Sequence, residues 1–142
     1  MRVVGNTNII IAGLYSRSGA SFQIIEAAIK NRLEYAISPL IALEYIGKIE
    51  DKVEDGLLDL PVQYDLRIVK AFIQNGIQIQ RPFLNRPNLP DNSDDKILEC
   101  AIAGQCNTII TFNVRDFPKN ILDQYELVAH TPGEFIKSGG LK

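Results

Sequence analysis

The chain has no tryptophan, one methionine, one histidine and two cysteines in 142 residues. One histidine and two cysteines make no ligand set for structural zinc. Cys100 and Cys106 fall in or just after an apolar helical segment, so they read as small buried thiols rather than disulfide partners. His130, on a late strand-like stretch, reads as a surface or strand-end residue. No run approaches the roughly 20 apolar residues that a membrane span requires. The opening residues lack a basic, then apolar, then small-residue leader pattern, so the expected location is the cytoplasm, away from membranes. Positive charge is not in excess either: 15 Lys and Arg stand against 17 Asp and Glu, a formal net charge of −2. Without a global basic field, a passive DNA-binding module is disfavoured. A nuclease is not excluded, because divalent cations held by carboxylates can meet a phosphodiester.

What is present is an ordinary globular composition, 46% hydrophobic, in a length that suits one domain, residues 1–142, with a sizeable core. Strand and helix signals alternate. Arg2 to Ile11 reads as a buried strand carrying the polar step Asn6-Thr7-Asn8. Ser18 to Ser21 reads as a turn that caps a helix with Phe22, Ile25, Ala28 and Ile29 on its apolar stripe. Tyr35 to Ser38 reads as a second short strand, after which Pro39 suits the first turn of a helix. Ile46 to Ile73 is helical in pattern, interrupted near Gly56 and Pro61, with Ile49, Val53, Leu57, Leu66, Val69 and Phe72 at helical spacing. Glu50, Asp51, Glu54, Asp55 and Asp59 read as its solvated face.

Ile77 to Gln80 alternates as a strand does. Pro82, Pro87 and Pro90 make Arg81 to Pro90 an extended loop. Asp91-Asn92-Ser93-Asp94-Asp95 then opens a helix, Thr108 to Phe112 reads as a buried strand, and Glu126 to His130 as a last strand. Thr131, Pro132 and Glu134 have the spacing of a capping box with proline at the first helical position. This alternation implies an α/β fold, a mainly parallel sheet with helices on both faces.

Open parallel sheets keep ligands at the carboxyl ends of their strands. Asn6 and Asn113 each follow an apolar strand, and Asp94 and Asp95 open a helix; if the two strands are neighbours, these groups meet. Glu44 lies in the otherwise apolar run Leu40 to Ile46, with Lys48 the only basic residue near it in sequence. A carboxylate in apolar surroundings needs a cation, a metal or hydrogen bonds, or else must lie on the exposed side of its helix. Asp91, Asp94 and Asp95 could equally serve as caps and loop solvation. Oxygen donors without thiolate or imidazole favour Mg²⁺ or Mn²⁺ over zinc.

The ordered set of motifs resembles the PIN-domain family, specifically its bacterial branch of toxin–antitoxin toxins, the VapC-like ribonucleases. The matching runs are Asn6-Thr7-Asn8, Ser38-Pro39 with Glu44-Tyr45, Asp91 to Ala101, Thr111-Phe112-Asn113, and Thr131 to Phe135. The resemblance implies a single three-layer domain, an Mg²⁺- or Mn²⁺-dependent ribonuclease activity, an RNA substrate, an antitoxin protein partner and a homodimer. Carried over by position, the catalytic set is Asn6, Glu44, Asp94, Asp95, Asn113 and Asp116. Of these Glu44, Asp94, Asp95 and Asp116 would bind metal, and Asp94 and Asp95 compete for one place because a one-residue loop difference exchanges them. Thr7, Asn8 and Thr111 would support the site by hydrogen bonding.

Two positions depart from the family pattern: Asn6 stands where an Asp is usual, and Asn113 where many members have an acid, for which Asp116 could substitute. An amide oxygen can ligate a cation but is neutral and cannot act as a base. The expectation is therefore activity lowered by about 10²-fold or more. The alternative is a non-catalytic module that binds RNA or an antitoxin-like protein. Arg81, Arg86, Lys96 and Arg115 flank the acidic edge and read either as scattered solvated charges or as candidates for phosphate contacts. A phosphohydrolase on the same architecture would need a nucleophilic Asp at the strand end, which Asn6 denies.

Overall fold

A computed structural model describes residues 2–16, 18–54, 62–80, 89–90 and 94–141, with the side chains of residues 53 and 62–66 left aside. The expected break near Gly56 and Pro61, most of the loop from Arg81 to Pro90, and Asp91 to Ser93 lie outside the described residues. So do the expected positions of Asp55, Leu57 and Asp59.

Among the described residues five strands form one sheet: β1 (Arg2–Gly5), β2 (Glu34–Ile37), β3 (Ile77–Gln78), β4 (Thr108–Ile110) and β5 (Val128–His130). Their order is β3-β2-β1-β4-β5, and every pairing among them is parallel. Among the described residues seven helices connect and flank them: α1 (Thr7–Tyr15), α2 (Ala20–Ile29), α3 (Pro39–Glu54), α4 (Val62–Asn75), α5 (Asp95–Ala103), α6 (Lys119–Leu122) and α7 (Pro132–Lys137). The expected α/β class and parallel sheet are therefore what the chain forms. Among the described residues no helix is long and apolar enough to cross a membrane.

One boundary differs in an instructive way. The strand expected over Arg2 to Ile11 ends at Gly5, and Ile9, Ile10 and Ile11 are helical. Three consecutive β-branched residues favour a strand by local propensity, but a short apolar run cannot by periodicity be told from a buried helix. Asn6 settles the matter. Its backbone is extended, and its side-chain carbonyl accepts the Thr7 amide at 2.8 Å, so β1 stops and α1 starts at one residue. Ile9, Ile10, Ile11 and Leu14 are then all buried, which is the setting in which a helix can be apolar around most of its circumference.

The core is built on the central strands. Val3, Val4, Ile109 and Ile110 are buried beneath Ile10, Ile25, Ile41, Tyr45, Ile97 and Leu98 from the helices. Tyr35 of β2 stacks on Phe72 of α4 with ring centroids 4.2 Å apart, and its hydroxyl donates to the Phe72 carbonyl. The chain leaves α4 for β3 through Gly76, where a Cβ would come within 2.7 Å of Ile37 and 2.9 Å of Tyr35, so only glycine permits that approach. At the far end Thr131 and Glu134 form the expected capping box, with Pro132 in the first turn of α7.

Candidate functional site

From β1 the chain builds outward to β2 and β3, then returns to place β4 on the other side of β1. The order in which strands are added thus reverses between β1 and β4, and in open parallel sheets the carboxyl edge at such a switch point is where ligands bind. Gly5 is in register with Ile110, and the Asn6 amide donates to the Ile110 carbonyl at 2.9 Å. The residues just beyond both strands are therefore held side by side, as the sequence required for Asn6 and Asn113 to meet.

Thr111 joins them. Its buried hydroxyl accepts from the Asn6 side-chain amide at 3.3 Å and from the Asn113 backbone amide at 3.1 Å. Asn6 is 8% exposed, and both ends of its amide are engaged: the oxygen by Thr7 and the nitrogen by Thr111. A partner at each end is what a polar group at this depth requires.

Thr7 carries the network to the next helix. As the first residue of α1 it is buried, and its hydroxyl donates to Glu44 Oε1 at 2.6 Å. Glu44 lies in the second turn of α3, which packs against both α1 and α5. Its other oxygen, Oε2, is 2.5 Å from Lys96 Nζ. The side chains of Lys96 and Glu44 are 18% and 25% exposed. Lys48, the basic neighbour in sequence, is not this partner; Lys96 is, 52 positions on, and of the two resolutions open to Glu44 in sequence the structure takes the paired one. Lys96, read in sequence as a solvated charge or a candidate for a phosphate contact, is bound to a carboxylate within the network. Apolar patterning carries no signal for a lysine brought in from another helix.

The acidic helix start sits beside this pair, since Lys96 directly follows Asp95. Asp94 is the residue before α5, and Asp95, fully buried in its first turn, accepts the Leu89 amide at 3.1 Å. Asn113 is exposed and begins a 3₁₀ turn, Val114–Asp116, at whose end Asp116 is half-buried, its amide donating to the Asn113 carbonyl at 3.0 Å. Arg115 is exposed on the same turn, beside a cavity of about 400 Å³ lined also by Phe117, Lys119, Val128 and His130. Asn8 is exposed on α1. Arg81 and Arg86 lie outside the described residues.

The donors at this edge are oxygens of the kind that suit Mg²⁺ or Mn²⁺. Their arrangement does not by itself make a cage: among the described residues no three of Asp, Glu, His and Cys gather in a group able to hold a metal. Glu44, the best-placed acid, already has one oxygen on a hydroxyl and the other on an ammonium.

Residues 2–115 match the family model for the PIN domain. The chain belongs to the PIN-domain family. Its fold is also that of a chain in the crystal structure of VapBC2 from Rickettsia felis bound to a DNA fragment from their promoter, with a TM-score of 0.55 at 16% identity, covering 92% of this chain and 98% of that chain. No curated protein matches the sequence. The family match runs through Asn6, Glu44, Asp94, Asp95, Thr111 and Asn113 and stops just short of Asp116.

Proposed function

We propose that this PIN domain is a ribonuclease of the toxin–antitoxin kind, dependent on Mg²⁺ or Mn²⁺ and weakened by Asn6. The whole chain, residues 1–142, acts in this reading as one cytoplasmic domain, paired with an antitoxin protein and associated as a homodimer. The supporting observation is the bond of Glu44 to Thr7, the residue next to the Asn6–Thr111 pair at the strand-order reversal, in a chain that matches the PIN domain over most of its length. The likeness to the Rickettsia felis VapBC2 chain supports the toxin–antitoxin pairing.

The metal-binding acids of this reading are Glu44, Asp94 or Asp95, and Asp116, with Asn113 and Arg115 at the rim where RNA enters. Thr7 and Thr111 orient Glu44 and Asn6. Asn6 can offer an oxygen but no charge and no base, so the reaction loses one negative group where the strands meet. The Asn6→Asp protein is expected to cleave RNA in Mn²⁺ about 10²-fold faster than the unmodified chain. If it cleaves none of a broad set of single-stranded and folded RNAs, the enzymatic reading fails.

The neutral, hydrogen-bonded amide of Asn6 and the Lys96–Glu44 pair favour a second reading, a non-catalytic module that holds RNA or an antitoxin-like protein. Robust turnover by the unmodified chain without detectable RNA retention would remove it.

A further inference from the structure

We propose that Lys96 is the resident cation of this site and that a divalent metal ion reaches Glu44 only by displacing it; the inference rests on the metal-dependent reading above. The geometry carries it. Lys96 Nζ and Glu44 Oε2 are 2.5 Å apart with both side chains largely shielded, and Glu44 Oε1 is taken by the Thr7 hydroxyl. The carboxylate is thus charge-balanced and hydrogen-bonded by the chain itself. A short, shielded ion pair is costly to break from one side, because it leaves a poorly solvated charge behind.

A second observation points the same way. Lys96 occupies the first turn of α5, one residue after Asp95. The unsatisfied amides of a helix start repel a cation, so this is a poor place for lysine unless something nearby offsets the cost. Glu44, delivered by α3, provides that offset. The first strand adds no competing negative charge, since Asn6 is neutral and both ends of its amide are used. A metal ion arriving at Glu44 therefore meets a positive charge already in place, and Lys96 must swing toward solvent before the carboxylate can ligate. In this way the ion pair sets the metal concentration at which the site fills.

The test is Mn²⁺ binding by calorimetry to the unmodified chain, Lys96→Gln, Lys96→Arg, Asn6→Asp and the Asn6→Asp/Lys96→Gln double variant. Lys96→Gln is expected to bind at least about 10-fold tighter than its parent in either background, and Lys96→Arg, which keeps the charge, to bind as weakly as the parent. Equal or weaker binding by Lys96→Gln, with metal binding otherwise intact, overturns the displacement idea alone. Absence of binding by every protein, the double variant included, overturns it together with the metal-dependent reading. On the chain with Lys96 unmutated, ¹³C-methylated lysine NMR gives an independent readout. The Lys96 methyl resonance should move toward that of a solvent-exposed lysine as Mg²⁺ is added, and an unmoved resonance at saturating Mg²⁺ also overturns the proposal.

Discussion

The hydroxyl of Tyr45 donates to the backbone carbonyl of Gly5, the last residue of β1. Tyr45 follows Glu44 in α3 and is fully buried, so this bond ties the helix turn that carries Glu44 to the strand end that carries Asn6. Burial holds the phenol well above its usual range, so it remains a donor at any ordinary pH. Tyr45→Phe keeps the ring and removes the bond. The expected loss is about 1–2 kcal/mol of folding stability, read from urea denaturation.

Thr7→Val removes the donor to Glu44 with little change in shape. The buried Val methyl packs where the hydroxyl was, while Glu44 Oε1 loses its short hydrogen bond. A loss of about 1.5–3 kcal/mol is expected, the range for hydrogen bonds to charged groups. Thr7→Ser keeps the hydroxyl and should recover most of it. If serine destabilises as much as valine, the role of Thr7 lies in its methyl group rather than in its bond to Glu44.

Arg115 projects from the 3₁₀ turn beyond β4, on the rim of the cavity that Phe117, Val128 and His130 also line. In the RNA-binding reading it meets a phosphate. Arg115→Ala is then expected to weaken RNA retention several-fold and to lower the slope of log affinity against log salt by about 0.7, the value for one contact to a single strand. An unchanged slope removes Arg115 from the interface.

Both cysteines are free and buried, and burial pushes each thiol up to about 12. Thiol reagents at pH 8 should leave the native protein unmodified and label both cysteines in denaturant. The linkage has a definite sign. The folded thiols ionise later than the unfolded ones, whose ordinary value is 9.0, so above that value the unfolded state binds fewer protons and stability falls as pH rises. The stabilisation is whole below about pH 9 and lost progressively toward pH 12, with the buried phenols of Tyr35 and Tyr45 acting in the same direction. A urea midpoint that holds constant from pH 8.5 to 10.5 would contradict this assignment.

Much of the architecture was legible locally. The alternation of apolar runs and helical stripes implied a parallel α/β sheet, and Thr131, Pro132 and Glu134 announced the start of α7 because capping is chemistry between near neighbours. The same local logic failed at Ile9 to Ile11, where β-branched residues form a helix because its burial outweighs their propensity. At the site, Asn6 and Asn113 could be nominated from their places after apolar strands and Thr111 only from the family resemblance; the pairing of β1 with β4 sets the Asn6 and Thr111 side chains together. Lys96 as the partner of Glu44 could not, since nothing between two residues 52 apart in the chain encodes which helices will touch.

The sequence by itself determined the ingredients: which segments could bury apolar surface, where helices could be capped, and that one strand ends in a neutral amide rather than an acid. These follow from side-chain chemistry acting over a few residues. Only the tertiary structure decided the company each polar group keeps. Packing of α1, α3 and α5 over the strand-order reversal hands Glu44 to a hydroxyl and an ammonium from distant parts of the chain. Electrostatic partners are chosen by distance in space, and that distance exists only once the sheet has formed.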